Sequence, residues 1–494
     1  MSNSASREHQ HSHSQNRFAV QPTPVRLAVD PSHTARGVTI ALLDSGFYPH
    51  PDLTQPNNRI VAYTDVVLPG AMLTPDKKPE AWDWHGTMTS VVAAGNGFLS
   101  DGVYRGLGSE AKLALVKVGD RGRITEPNIE RGLRWVIENR ERYDIRVVSI
   151  SLGGDQDISY QQNAVDQAAE AAVKAGLVVV VAAGNSGCTD RHQTVPPANA
   201  PSVITVGGYD DHNQIDGEFE LYGSSYGVTA DGFVKPEVIA PAMWVAAPIL
   251  PNTDAYDRAE ALSKLASMPD YKIRSFARES SGLWEQAGLP DSLRFGGIDS
   301  IRFEMERLLE ESKIVATHYQ HADGTSFAAP IVASLAAQMI EANPKLSPAA
   351  VKHILISTAD RIAGASAIRQ GYGVVHASRA LEAAKREHHV EGQLFFSPPR
   401  VVDGHIEFSL HDDSASSVRL VSDFNGWSVH GASFSKDDTG TWRTRIAMPD
   451  TGRYRYKLVI DQNRWIEDPS NLMKEPDGYG GFNSVLVVST ELFD

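Results

Sequence analysis

The sequence of 494 residues predicts an α/β domain built on a doubly wound parallel sheet, followed by an all-β sandwich. The first prediction rests on short apolar, β-branched runs that alternate with helical patterns between about residues 25 and 388. The second rests on short strand-like runs, separated by turns, from about 392 to 494. Residues 1–24 form a polar, Ser- and His-rich stretch without apolar periodicity, which predicts a disordered tail.

The first predicted strand is followed by an acidic side chain. Val38–Leu43 is apolar except for the β-branched Thr39, as is typical of a buried parallel strand, and Asp44 comes directly after it. Residues at the carboxyl ends of parallel strands lie at the edge where α/β proteins carry their sites. Further along, His85 stands at the start of a small-residue, apolar run, so we expect it to begin a buried helix. Taken singly, each of these residues more often has a structural role.

The next predicted strands end in small residues with accessible backbone groups and in one amide side chain, at the same edge of the sheet. Predicted strands cover 112–118 and 147–152, and the second leads into the sequence Ser151-Leu152-Gly153-Gly154. The most apolar strand, at 178–181, is followed within a few residues by Asn185. Helical patterns separate these strands, and this alternation is what predicts a parallel sheet covered on both faces.

A serine stands at the start of the most apolar helix of the chain. Gly324 permits a tight turn, and Ser326 then falls at the start of a helix that continues into the apolar run Ile331–Ile340. At this position its own backbone N–H and the positive end of the helix dipole stabilise negative charge. Such a position suits a nucleophile that generates an oxyanion, although Gly-Thr-Ser is also a common helix cap.

Four ordered blocks of the chain resemble the signature sequences of the subtilisin-like serine peptidases. The blocks are Asp44-Ser45-Gly46, His85-Gly86-Thr87, Ala182-Ala183-Gly184-Asn185 and Gly324-Thr325-Ser326-Phe327-Ala328-Ala329-Pro330, and Lys235–Pro241 resembles a further one. The chain order Asp, His, Ser is the order found in subtilisin. The resemblance covers roughly residues 24–388 and implies a serine endopeptidase.

The resemblance implies a role for each of these side chains. Ser326 would be the nucleophile, His85 the base that takes its proton, and Asp44 the group that orients the imidazole. The Asn185 side chain and the Ser326 N–H would form the oxyanion hole. The residues that would line the pocket for the substrate residue before the scissile bond are Ser151, Leu152, Gly153, Ala183 and Gly184.

Two further features follow from comparing the chain with the family pattern. A helical, charged segment at about 253–313 lies directly before the Ser326 block and is predicted to be an insertion beside the cleft, restricting access to it. Asp52 matches a calcium ligand of the family, so calcium is a candidate ligand, whereas the chemistry itself needs no cofactor.

The carboxyl-terminal region resembles the glycogen-binding sandwich of the AMP-activated kinase β-subunit and related early-set domains, which have an immunoglobulin-like fold. The matching stretches are Asp423–Trp427, Tyr454–Lys457, Trp465–Pro469 and Phe482–Ser484. The resemblance implies that Trp427 and Trp465 stack on glucose rings. It also implies that Lys457 and Asn483 hydrogen-bond to sugar hydroxyls. The alternative is that both tryptophans are core residues of a structural or protein-docking module.

The amino-acid composition limits the classes of molecule that the protein is expected to bind. The net charge of −15 argues against nucleic acid or an anionic membrane, which leaves polypeptide substrates and, through the sandwich, α-glucan. No transmembrane helix and no signal peptide are predicted, so we expect a cytoplasmic protein. A catalytically silent scaffold and a transpeptidase with the same fold are the alternative functions. Intact Asp44, His85, Asn185 and Ser326 favour the active endopeptidase.

Overall fold

The computed structural model of the chain describes residues 20–156, 158–187, 194–215, 217–231, 233–278, 282–387, 399–412, 414–437, 440–471, 474–479 and 481–488. Most of the predicted tail and the predicted junction between the two domains therefore lie outside the described residues. Residues 20–24, assigned to the tail by the sequence, instead pack on the α/β domain. Val20 is buried, and the Gln21 backbone N–H donates to Asn213 Oδ1 at 2.7 Å.

A central sheet of eight strands organises the α/β domain. The strands up to residue 241 are β1 (Thr39–Asp44), β2 (Ile60–Asp65), β3 (Lys112–Lys117), β4 (Ile145–Ile150), β5 (Val178–Ala182), β6 (Ile204–Asp210), β7 (Glu220–Leu221), β8 (Gly227–Val228), β9 (Val234–Lys235) and β10 (Val238–Pro241). The order in the sheet is β10-β6-β5-β4-β1-β3-β2, all parallel, with β7 antiparallel to β6, while β8 and β9 form a separate ribbon. Strand β1 thus lies between β3 and β4, where the strand order reverses and α/β sheets open a crevice.

Helices cover both faces of this sheet. The helices of the chain are α1 (Thr23–Arg26), α2 (Pro51–Thr54), α3 (Trp84–Ala94), α4 (Glu126–Asn139), α5 (Ala164–Lys174), α6 (Asp254–Ala266), α7 (Asp270–Arg278), α8 (Gly282–Gln286), α9 (Ile298–Glu311), α10 (Thr325–Ala342), α11 (Pro348–Ser357), α12 (Ala367–Gln370) and α13 (Ala377–Arg386). Alternate β1 side chains enter two different cores, Ile40 and Leu42 with α3 and α10, and Ala41 and Leu43 with α4 and α5. The predicted doubly wound parallel sheet is confirmed.

Helix α10 runs through the centre of the first core. It is the one helix in the described ranges with the length and apolarity to span a membrane, but 83% of it is buried within the fold. Its burial explains the all-apolar pattern, because a helix surrounded by protein on every side has no polar face.

The segment before α10 carries a second, smaller core. Strands β11 (Val245–Pro248), β12 (Ile314–Ala316) and β13 (Tyr319–Ala322) form an antiparallel sheet in the order β11-β13-β12. Helices α6 to α9 lie between β11 and β12 in the chain and pack around the fully buried Trp284. These helices occupy the segment predicted to be a helical insertion, and we call them the insertion.

Two antiparallel sheets make up the carboxyl-terminal region. Its strands are β14 (Arg400–Val402), β15 (His405–His411), β16 (Val418–Ser422), β17 (Ser435–Lys436), β18 (Thr441–Ala447), β19 (Gly452–Ile460), β20 (Arg464–Ile466), β21 (Lys474–Pro476) and β22 (Phe482–Val488). One sheet has the order β14-β15-β18-β17, and the other has the order β16-β19-β22-β21, with β20 also paired to β19. The two sheets share one hydrophobic core, in which the Phe408 and Tyr456 rings meet edge to face at 5.1 Å.

Candidate active site

The carboxyl end of β1 and the first turn of α3 bring an acid and an imidazole together. His85 Nδ1 lies 2.8 Å from Asp44 Oδ1 and 3.0 Å from Oδ2. Glycine at position 86 makes the approach possible, because a Cβ there would lie 2.2 Å from the Gly46 carbonyl oxygen and 2.8 Å from Asp44 Cβ. The sequence prediction that these two residues converge on one edge is therefore met by the geometry.

Asp44 is almost completely enclosed, and its partners determine its orientation. Only 1% of the residue is exposed, and its oxygens accept from the Ser45 backbone N–H at 2.7 Å and from the Thr89 hydroxyl at 3.0 Å. Burial alone would lower the pKa of His85, but the charge of Asp44 and its hydrogen bond outweigh burial, so the pKa is raised above its ordinary value. A carboxylate on Nδ1 also leaves Nε2 as the nitrogen that can accept a proton.

Ser326 lies in the first turn of α10. Gly324 immediately before the helix has φ of 138°, a backbone region that favours glycine, and the turn there leaves Ser326 half-buried. The Ser326 hydroxyl donates to the Ser151 carbonyl at 3.4 Å, and the Ser151 hydroxyl donates to the Ser326 carbonyl at 2.8 Å. The structure contains no hydrogen bond between Ser326 and His85, both of which it describes. Catalytic hydrogen bonds of ligand-free sites often form only when substrate binds.

Asn185 is exposed, and Thr325 holds its side chain by the amide oxygen. Its Oδ1 accepts from the Thr325 backbone N–H at 2.9 Å and from the Thr325 hydroxyl at 3.1 Å. The same hydroxyl oxygen accepts from the Gly184 N–H at 3.1 Å. Because its oxygen is occupied, the amide presents its NH₂ group as the available donor. Sequence reasoning assigned no role to Thr325, although it lies inside the Gly-Thr-Ser block that the reasoning used.

A cleft of about 500 Å³ lies beside His85. Ser151, Leu152 and Gly153 line it, as predicted, whereas Ala183 and Gly184 are not among its lining residues. Ala183 is instead buried, and Gly184 contributes its backbone to the Thr325 contact. The lining also contains side chains that the sequence analysis did not select, among them Trp82, Trp84 and Ile124. The adjacency of Trp84 to His85 in the sequence was the one available signal for them.

Asp52 does not have the surroundings of a calcium ligand. Its residue is fully buried, and its two oxygens already accept from the Leu99 N–H at 3.0 Å and from the Tyr319 hydroxyl at 2.7 Å. Calcium takes six to eight oxygen ligands, usually with several carboxylates. Within the described ranges no group of three or more His, Cys, Asp or Glu side chains could hold a metal. Asp52 thus joins three segments of the fold through protein hydrogen bonds.

The four predicted sugar-contacting residues lie near one another on the sandwich. Strand pairing places Val459 opposite Trp465 and Arg455 opposite Val485, so Lys457, Trp465 and Asn483 share the face that points away from the core. We call this the outer face. Trp465 is 43% exposed, Asn483 is buried, and Lys457 Nζ contacts Asp477 Oδ2 at 2.7 Å.

Trp427 is tied to the outer face from a loop. It is half-buried, and its indole N–H donates to Asp423 Oδ1 at 3.0 Å. The other oxygen of Asp423 accepts from the Arg455 backbone N–H at 2.8 Å, at the edge of the outer face. The alternative that both tryptophans are core residues therefore does not hold for Trp465, which is 43% exposed, and applies only in part to the half-buried Trp427.

Comparison with known proteins places this site in a family. Residues 35–374 match the Subtilase family. The chain is 33% identical over 359 residues to the serine protease AprX of Bacillus subtilis, covering 70% of this chain and 67% of AprX. It is 34% identical over 206 residues to subtilisin amylosacchariticus of Bacillus subtilis subsp. amylosacchariticus, covering 40% of this chain and 48% of that protein. Among solved structures, fervidolysin from Fervidobacterium pennivorans matches with a TM-score of 0.49 and 19% identity, covering 88% of this chain and 54% of that one. The chain therefore belongs to the subtilase family, the subtilisin-like serine peptidases.

Proposed function

We propose that the protein hydrolyses peptide bonds through Asp44, His85 and Ser326, with Asn185 in the oxyanion hole. The observation that carries the proposal is the hydrogen-bonded Asp44–His85 pair beside the first turn of α10, where the His85 ring lies 6.1 Å from the ring of Phe327, the residue after Ser326. Carboxylate, imidazole and a serine at a helix start are the groups that acyl transfer requires. The chain spans about two thirds of AprX and about half of the subtilisin, so the activity of the whole protein is part of this proposal.

The proposed roles imply an order of events. His85 Nε2 removes the proton from Ser326 Oγ, which attacks the carbonyl carbon of the scissile bond. The negative oxygen that results is stabilised by the Asn185 NH₂ group and the Ser326 N–H, while Asp44 stabilises the imidazolium. The imidazolium then protonates the leaving amine, and water repeats the sequence on the acyl-enzyme. Before this, the Ser326 hydroxyl must leave the Ser151 carbonyl to which it donates here.

Fluorophosphonate labelling tests this assignment. The wild-type protein should gain one covalent label, and peptide mapping should place it on Ser326. The Ser326→Ala variant should take up none while unfolding at the wild-type temperature. A folded protein that stays unlabelled would favour the catalytically silent scaffold. Label on Ser326 accompanied by products joined to an added amine, with little free acid, would favour the transpeptidase.

A second function, binding of α-glucan, is favoured by the outer face of the sandwich. The exposed indole of Trp465 offers a flat apolar surface, as sugar recognition requires, and Lys457 and Asn483 carry hydrogen-bonding groups on the same face. To reach a sugar hydroxyl, Lys457 must exchange its Asp477 contact and Asn483 must leave its buried position. We infer that Trp465 and Trp427 contact glucose rings, with Lys457 and Asn483 bonded to hydroxyls. The module would localise the peptidase to glycogen or starch. The affinity would be modest, because sugar hydroxyls give up hydrogen bonds to water when they bind.

A further inference from the structure

The corner between β10 and β11 contains a strained residue next to the candidate nucleophile. Trp244 has φ of 58°, which is unusual for a bulky side chain and costs of order 1–3 kcal/mol. Such strain persists only where surrounding contacts hold it, and it is frequent near functional sites. Contacts from two separate parts of the chain hold this corner.

The first set of contacts comes from the amino-terminal segment. The fully enclosed guanidinium of Arg26 donates to Asp211 Oδ2 at 2.7 Å and to Asp211 Oδ1 at 2.8 Å. It also donates to the backbone carbonyls of Met243 at 2.9 Å and Trp244 at 3.0 Å. A buried bidentate pair is rigid, so both carbonyls of the corner are held in place.

The second set comes from Asp323, three residues before Ser326. Its Oδ1 accepts from the Trp244 backbone N–H at 3.1 Å. Its Oδ2 pairs with the ammonium of Lys313, the residue that joins the insertion to β12. Burial raises the pKa of Asp323, but contacts with His321, Lys313 and the Trp244 N–H outweigh it and bring the pKa to about 2, so the group is charged at neutral pH.

The turn that leads into α10 is fastened to the same corner. The Gly324 N–H donates to the Ala242 carbonyl at 2.7 Å, one residue before Met243. The Trp244 indole lies 4.6 Å from the His321 ring and donates to Asp210 Oδ1 at 3.1 Å. The residue after Asp323 is thus bonded to this corner through its backbone, and His321, two residues before Asp323, packs on the corner through its ring, so the turn that carries Ser326 rests on the corner.

We propose that Asp323 is a positioning residue for Ser326, through which Lys313 of the insertion and the Arg26-held corner set the geometry of the nucleophile turn. The inference rests on the proposed function, because it assumes that Ser326 reacts. It also connects the insertion to the reaction, because Lys313, at the carboxyl end of the insertion, contacts Asp323 directly. A misplacement of the nucleophile by about 1 Å can lower a rate by about 10²-fold.

The test measures the second-order rate of fluorophosphonate labelling, together with kcat and KM for a small peptide. Asp323→Ala removes both contacts and should label about tenfold to a hundredfold more slowly. Asp323→Asn keeps an acceptor for the Trp244 N–H and should be intermediate. Lys313→Met removes only the ion pair and should label about threefold more slowly. Arg307→Gln is the matched control, because Arg307 is a cation of the insertion whose ion pairs, among the described residues, are with Glu304 and Glu311 on its own helix.

The losses should appear in kcat, with KM within about twofold of wild type, because the substrate-binding cleft is unchanged. Each variant is assayed well below its own unfolding temperature, so that loss of fold is not read as loss of position. Wild-type labelling rates in folded Asp323→Ala would overturn the inference. If that variant does not fold, wild-type rates in both Asp323→Asn and Lys313→Met overturn it. An unlabelled wild-type protein would instead contradict the proposed function itself.

Discussion

The candidate active site and the exposed indole on the outer face of the sandwich are held in opposite ways. In the candidate active site, Asp44 is 1% exposed and bonded by three neighbours, and Asn185 is anchored through Thr325. On the outer face, Trp465 is 43% exposed and lies on the short strand β20. Bond-breaking chemistry needs groups fixed in orientation before the substrate arrives, whereas reversible binding to a polymer needs accessible surface. Substitutions should therefore have much larger effects in the cleft than on the outer face.

The largest effect is expected from removal of the imidazole. His85→Ala should lower kcat by about 10⁶-fold, the loss known for subtilisin, because proton removal from Ser326 then has no base. The measurement is hydrolysis of a small chromogenic peptide, with circular dichroism to confirm the fold. His212→Ala is the control, since His212 is an exposed histidine of another loop. Retention of more than a hundredth of wild-type activity would contradict the assignment of His85.

Two substitutions of Asn185 can distinguish its anchoring contact with Thr325 from its proposed role in catalysis. Asn185→Ala should lower kcat by about 10²–10³-fold, again a magnitude from subtilisin, because one oxyanion donor is lost. Asn185→Asp keeps the acceptor that Thr325 uses but replaces the donor by a negative oxygen, so it should be at least as impaired. Equal activity of Asn185→Asp and wild type would show that only the anchoring contact matters. Asn58→Ala, at an exposed turn, should leave the rate unchanged.

Thr89 tests how far the buried contacts of Asp44 matter. Thr89→Val keeps the shape but removes the hydroxyl donor to Asp44 Oδ2, leaving a buried carboxylate one hydrogen bond short. We expect kcat/KM at neutral pH to fall about tenfold, equivalent to about 1.4 kcal/mol. Substitution of Thr54, whose hydroxyl donates to a backbone carbonyl outside the cleft, serves as the control. Unchanged kcat/KM in folded Thr89→Val would mean that Asp44 is held well enough without it.

The raised pKa of His85 sets the pH dependence. The base must be neutral, so kcat/KM should fall as the pH decreases, with a midpoint above the ordinary histidine value of about 6.5. The contribution of His85 to the free energy of unfolding changes with pH in the direction opposite to that of kcat/KM. A histidine whose pKa is raised on folding contributes its full stabilisation of the folded state at pH values below its unfolded pKa of about 6.5. This contribution is lost as the pH rises through the pKa that the histidine has in the folded protein. The unfolding free energy of wild type minus that of His85→Ala, measured from pH 5 to 9, should therefore decrease while activity increases.

The smallest effect is expected on the outer face. Burying one indole face of roughly 60 Å² at about 25 cal/mol per Å² is worth about 1.5 kcal/mol, or about tenfold in affinity. Trp465→Ala should weaken glycogen co-sedimentation by that factor and leave peptide hydrolysis unchanged. Phe295→Ala, which removes an exposed ring of the insertion, should change neither. If wild-type protein does not bind glycogen, or Trp465→Ala binds as well as wild type, the outer face has another role.

The parallel sheet, the central helix and the convergence of Asp44 with His85 could be predicted from the amino-acid sequence alone. Val178–Ala182 and Thr39–Asp44 are buried on both faces, which requires continuous apolar runs that are readable in one dimension. Helix α4 spans Glu126–Asn139, the range of its apolar periodicity. Asp44 and Ser326 could be found because strand ends and helix starts mark positions at the sheet edge.

The partners that hold those residues could not be predicted and follow from the tertiary structure. Strand β2 escaped sequence detection because it lies at the sheet edge, where its mixed burial leaves no continuous apolar run. Asp52 accepts a hydrogen bond from Tyr319, which lies 267 positions further along the chain. This contact occupies a carboxylate oxygen that the sequence analysis expected to bind calcium. The anchoring of Asn185 by Thr325 is likewise a long-range contact. Local patterns report burial and backbone preference, whereas the orientation of a polar side chain depends on donors and acceptors that folding brings from distant parts of the chain.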